Sequence, residues 1–272
     1  MYLNYWGLRE SPFHRPRQNR WFFEGDVHEE AVARLHFMIE HRHRLGILSG
    51  DMGSGKSLLL AVMADRLRRN GRTVVHASIE EACAAELWWI LAVGLELNPQ
   101  SHEPPPRLWR RVCDRLSHDR MTGNGTVLLL DDADQAHHDA LAGILRLLSV
   151  EPLVGMQLSV VLACRPAGVS RLSARLVEQA ELLITLEPFS LSETRDYVQE
   201  SLTQAGREES AFSSAALLRL HELSDGVVRR INHLADLSLA AGAAQGQEFI
   251  DTEIVEGVYQ ELGAAQLARR IA

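Results

Sequence analysis

Lysine is nearly missing from this chain: of its 28 Lys+Arg residues, Lys56 is the one lysine. Cysteine is scarce too. Cys83, Cys113 and Cys164 lie far apart and form no C-x-x-C, which excludes a disulfide framework or a thiolate zinc site and leaves them as small buried hydrophobes. No apolar run approaches the ~20 residues of a membrane span. The opening Met1-Tyr2-Leu3-Asn4-Tyr5-Trp6 lacks the charged-then-apolar pattern of a secretory leader, so the expected location is cytoplasmic. A basic surplus is absent: the net charge of −8 disfavours a strong nucleic-acid binder. The twelve histidines include His41 and His43 around Arg42 and the adjacent His137 and His138. Neither spacing places two metal ligands on one helical face. There is no internal repeat and no low-complexity tract. With 272 residues, 46% of them hydrophobic, the chain has core enough for one large domain or two smaller ones.

The single lysine stands in Gly50-Asp51-Met52-Gly53-Ser54-Gly55-Lys56-Ser57, which fits G-x-x-x-x-G-K-[ST]. Glycines let the backbone turn tightly and aim several N–H groups at one anion. The N-terminus of the following helix, from Lys56, Ser57 and Leu58 onward, adds partial positive charge. Lys56 is expected on the β- and γ-phosphates of ATP and the Ser57 hydroxyl on Mg²⁺. At this position a compact ammonium on a flexible stem differs in function from a planar guanidinium. The context agrees: an apolar run at 45–48 enters the loop and a helical pattern at 58–69 leaves it.

Strand and helix patterns alternate up to residue 187. Strands are expected at 45–49, 73–77, 126–130, 158–163 and 182–186. Helices are expected before the first strand at 27–43 and between the strands at 58–70, 79–97, 107–117 and 139–150. Pro104-Pro105-Pro106 reads as a stiff connector. Such alternation predicts a parallel sheet of five strands with helices on both faces, an α/β phosphate-loop NTPase. After Pro188 the strands stop. Ser190 and Glu193 form a capping box, and helices are expected at 191–205, 213–223, 227–244 and 252–262. The expected domains are an aromatic arm at 1–26, a nucleotide-binding domain at 27–189 and an all-helical lid at 190–272. The arm (Tyr5-Trp6-Gly7-Leu8, Pro12-Phe13, Trp21-Phe22-Phe23) reads as an extended segment that packs through its aromatics.

A second constellation is Val127-Leu128-Leu129-Leu130-Asp131-Asp132-Ala133-Asp134. It puts carboxylates at the carboxyl end of a strand, where open α/β sheets bind ligands. Asp131 is expected to hold Mg²⁺ and Asp132 to polarise the attacking water.

With these motifs the chain resembles ATPases of the AAA+ architecture, and among them the general secretion pathway protein A group. The opening residues 5–13 are similar to that group's aromatic arm. Ser159-Val160-Val161-Leu162-Ala163-Cys164-Arg165-Pro166 is similar to its sensor-1 strand. Asp225-Gly226-Val227-Val228-Arg229-Arg230-Ile231-Asn232-His233-Leu234 is similar to the "GxPRRIN" segment that opens its third lid helix. The resemblance implies that Arg229, with Arg230 as its neighbouring alternative, is the sensor-2 arginine reaching the γ-phosphate. It implies a ring or filament of identical subunits and secretion or pilus assembly proteins as partners. It places Phe13 and Val27 near the adenine.

The sequence departs from that pattern in four places. Asp132 stands where Glu is usual, which withdraws the carboxylate by about one C–C bond and would slow hydrolysis. Arg165 replaces an amide or hydroxyl; it could still contact phosphate. Val228 replaces a proline. Glu178-Gln179-Ala180 replaces a QR pair, leaving Arg171 and Arg175 as substitutes for the arginine finger. The expected activity is hydrolysis of Mg-ATP in service of an envelope assembly system. Two alternatives stand beside it. One is a DNA-associated regulator of the transposition type using Arg15-Pro16-Arg17 and the arginines of 107–111. The other is a module that binds ATP and hydrolyses it slowly or not at all.

Overall fold

The computed structural model describes residues 2–13, 22–121, 125–149 and 158–271. Trp21, the Arg15-Pro16-Arg17 cluster and Val150 lie outside them. The chain divides into two compact units. One comprises His28–Met52 and Lys56–Leu186; the other comprises Met1–Val27, Gly53–Gly55 and Glu187–Ala272.

The first unit is built on β1 (Leu45–Gly50), β2 (Thr73–Ser78), β3 (Thr126–Asp131), β4 (Leu158–Cys164) and β5 (Leu182–Leu186). All neighbouring pairs are parallel, in the order β2-β3-β4-β1-β5. Every residue of β1, β3 and β4 is buried, as continuous apolar runs require when helices cover both faces. Each fully buried aliphatic side chain contributes about 1.5–3 kcal/mol, so these three strands are the energetic centre of the unit. All five strands lie within one residue of the ranges expected from the sequence.

The flanking helices are α2 (Asp26–Glu40), α3 (Lys56–Arg69), α4 (Ala84–Gly94), α5 (Pro105–Met121), α6 (His138–Ser149) and α7 (Ala174–Gln179). Several of them differ from the sequence reading: α2 ends at Glu40, short of the expected 43, α7 was not expected, and α4 and α5 start elsewhere. The helix expected from 79 begins only at Ala84. Ile79 N–H still donates to Asp131 O at 3.0 Å, continuing the strand pairing, and Glu86 caps the Cys83 N–H at 2.8 Å. Pro105 and Pro106 are not part of a connector: they form the first turn of α5, where a missing N–H costs nothing. A core of Leu, Ile and Val from the strands closes against Leu87, Trp88 and Leu91 of α4 and Leu141, Ile144 and Leu147 of α6.

The second unit holds α8 (Leu191–Gln204), α9 (Ser214–Ser224), α10 (Val228–Gln245) and α11 (Thr252–Ile271). The capping box forms: Ser190 N–H donates to Glu193 Oε2 at 2.9 Å and Glu193 N–H to Ser190 Oγ at 3.2 Å. The N-terminal arm opens with a helical turn, α1 (Tyr2–Tyr5), instead of running extended. Its Trp6, Leu8 and Phe13 are buried among Leu202, Leu234, Leu239 and Ile250. Trp6 Nε1 donates to Leu239 O at 2.8 Å, and Tyr2 Oη donates to Asp236 Oδ1 at 2.5 Å.

Candidate nucleotide site

The carboxyl ends of β2, β3, β4 and β1 lie side by side, so Ser78, Asp131, Cys164 and Gly50 form a row along one edge of the sheet. This is the edge at which open α/β sheets bind ligands. The strand β1 leads into the loop and α3 starts at Lys56. Gly53 (φ +93°) and Gly55 (φ +104°) take conformations that side-chain-bearing residues rarely adopt, and these two turns return the backbone to the start of α3. Asp51 and Met52 face solvent, Ser54 and Lys56 are buried, and Ser57 and Leu58 are half-buried in the first turn of α3.

Lys56 is only 9% exposed. Its Nζ donates to Gly50 O at 2.6 Å and to Asp51 O at 3.0 Å, so the ammonium is folded onto its own loop. Burial pushes its pKa below the ordinary lysine value; Asp131, Asp132, Cys164 and Asp134 pull it back up in that order. A buried cation beside a glycine loop and a row of carboxylates is a donor set that fits a Mg-nucleotide. Among the described residues no three His, Cys, Asp or Glu converge on a metal position.

Asp131 is 5% exposed and its Oδ1 accepts the Asp132 N–H at 2.9 Å. Asp132 is half-buried with a left-handed backbone (φ 55°). Its Oδ2 accepts from Ser78 Oγ at 2.9 Å. Arg165 follows β4, and its Nε donates to Asp134 Oδ2 at 2.8 Å. The buried Cys164 thiol is pushed up to about 11, by burial first and then by Asp134, with Lys56 opposing. Sequence reasoning assigned no role to Ser78 or Asp134. The signal for Ser78 was its place at the end of a strand beside β3. For Asp134 it was a third acid one turn beyond the first two.

In the helical unit, with which Gly53–Gly55 groups, the Arg229 N–H donates to Gly53 O at 3.1 Å. A Cβ on Gly53 would lie 2.5 Å from Arg229 Cβ. Arg230 instead pairs with Asp225 at 2.5 Å. Arg171 and Arg175 are exposed, one closing a 3-10 segment and the other in α7. Phe13 lies in the core of the helical unit, and the Val27 N–H donates to Glu193 Oε1 at 3.2 Å. Three of the α5 arginines are engaged within the fold, while Arg110 is exposed. Arg107 and Arg111 pair with Glu103, Arg115 pairs with Asp119, and the Arg115 guanidinium donates to Leu95 O.

The sheet order, the glycine loop closing on a buried lysine and the acids ending β3 define a phosphate-loop NTPase fold, and residues 39–173 match the AAA domain family. The fold is of the AAA+ type. Among individual proteins it is similar to General secretion pathway protein A of Aeromonas hydrophila, with 27% identity over 256 residues, 92% of this chain. The chain spans 46% of that relative's length. In fold it is similar to Cdc6p from Pyrobaculum aerophilum (TM-score 0.70, 18% identity, 90% of this chain and 71% of that one). It is also similar to the Aeropyrum pernix ORC1 protein in complex with DNA (0.66, 16%, 90% and 69%). A further similar structure is the Thermotoga maritima RuvB Holliday junction branch migration motor (0.60, 16%, 92% and 73%). Among the described residues no helix is long and apolar enough to cross a membrane.

Proposed function

We propose that this chain binds Mg-ATP in the loop of residues 50–57 and hydrolyses it, using the nucleotide cycle to drive or switch assembly of a secretion- or pilus-type envelope system from the cytoplasmic side. The observation that carries the reading is Lys56: a buried ammonium at the start of α3, within electrostatic reach of Asp131 and Asp132. The similarity to General secretion pathway protein A supports the choice of pathway. In this reading the N–H groups of Gly53, Ser54, Gly55, Lys56, Ser57 and Leu58 cradle the phosphates. Lys56 turns from its loop carbonyls to the β- and γ-phosphates. Ser57 and Asp131 hold Mg²⁺, which neutralises phosphate charge. Asp132 polarises the attacking water, Arg165 contacts the γ-phosphate, and Arg229 reports it to the helical unit. Identical subunits assemble so that Arg171 or Arg175 reaches a neighbour's nucleotide.

One observation favours a slower variant of the same reading. The Asp132 carboxylate is short, and Ser78 already occupies one of its oxygens. That describes a switch that holds ATP for long periods rather than a fast motor. Phosphate release from Mg-ATP at steady state, with chelator as control, tests both. Brisk turnover supports the motor, slow metal-dependent turnover supports the switch, and none above the chelator control rejects hydrolysis. Against the DNA-associated reading stand the net charge of −8 and the pairing of Arg107 and Arg111 with Glu103 and of Arg115 with Asp119.

A further inference from the structure

Asp134 and Arg165 form a pair whose two halves differ sharply in exposure. The Asp134 side chain is 1% exposed, while that of Arg165 is 41% exposed. The carboxylate therefore sits behind the guanidinium. The contact uses Arg165 Nε, and arginine carries four further N–H donors on its two terminal nitrogens. Pairing raises the Arg165 pKa further, so it stays a cation at every working pH. The position is built closely. Asp134 lies in the 3-10 turn Ala133–Gln135 directly after Asp132. Gly168 closes against it: a Cβ there would fall 2.3 Å from Asp134 Cβ and Oδ2. The Gly168 N–H donates to Arg165 O at 2.9 Å, fixing the backbone that carries the arginine. The pair is also part of the phosphate-side charge set. Arg165 senses Asp132 and Glu80, and Lys56 senses Asp134.

We propose that Asp134 is a positioning residue that holds Arg165 toward the terminal phosphate, so that a buried carboxylate and an arginine together replace a single neutral polar side chain and make this site distinguish ATP from ADP. The inference rests on the proposed nucleotide site and deepens it. Asp134 touches no phosphate in this account; it fixes the direction of a cation that does. A flexible arginine without it would meet its own excess of neighbouring acids as readily as the nucleotide.

The experiment measures equilibrium binding of ATP and of ADP, each with Mg²⁺, to the whole chain and to Arg165→Gln, Asp134→Asn and the double variant. One charge-assisted hydrogen bond to phosphate corresponds to about a tenfold change in affinity. The expected result is that Arg165→Gln lowers the ATP-to-ADP affinity ratio about tenfold with ADP affinity retained. Asp134→Asn should lower the ratio to a similar level, and the double variant should fall no further. Arg165→Lys, which keeps the charge, should restore part of the ratio. Because the Arg165 side chain is far more exposed than that of Asp134, its variants report even where Asp134→Asn fails to fold. An unchanged ratio in Arg165→Gln, or losses that add in the double variant, would overturn the inference. A wild-type chain that binds neither nucleotide would overturn the underlying site reading instead.

Discussion

Ser78, the last residue of β2, donates its hydroxyl to the carboxylate expected to act on water, Asp132. A hydrogen bond of this kind is worth about 0.5–1.5 kcal/mol, which corresponds to roughly 2- to 10-fold in rate if the bond must break before the reaction. Ser78→Ala is therefore expected to raise kcat for Mg-ATP by that factor with KM little changed; a fall in kcat would mean that the serine helps hydrolysis. The cysteines give a pH prediction. Burial pushes the thiols of both Cys113 and Cys164 from 9.0 up to about 11. Their folded-state pKa values lie above those of the unfolded chain. The stability they contribute is fully present below pH 9 and is lost as pH rises toward about 11. Chemical denaturation between pH 8 and 11 should show falling stability, and the slope should flatten when both cysteines are replaced by alanine.

At the scale of elements, the N-terminal arm packs its aromatics among the helices of the second unit. Trp6 is 2% exposed, and its indole N–H is bonded to Leu239 O. Trp6→Ala leaves a large cavity and removes that bond, so a loss of about 3–5 kcal/mol is expected. Urea unfolding of the helical unit should move to lower denaturant, while a midpoint shift close to zero would contradict this packing. The strands were legible from the sequence because apolar runs of five to seven residues between turn signals have few alternatives. The phosphate loop was legible because its spacing is itself the chemistry. The Ser78–Asp132 and Asp134–Arg165 contacts were not. They depend on β2, β3 and β4 lying side by side, and the order of strands in a sheet leaves no mark in local periodicity. The packing of the arm was half legible: its aromatics announced burial but not against which helices.

For the whole molecule, charge decides between readings of partner class. With a net charge of −8 and with Arg107, Arg111 and Arg115 paired to Glu103 and Asp119, binding to duplex DNA should show a log–log salt slope near zero. A steep negative slope at low salt would favour the DNA-associated role. The central claim concerns Lys56, the one lysine in the chain, buried on a glycine loop at the edge of a parallel sheet. Its most direct test is the steady-state rate of phosphate release from Mg-ATP by wild type and by Lys56→Ala. The account predicts turnover by wild type that is lost to background in Lys56→Ala. Equal rates in the two proteins would contradict it.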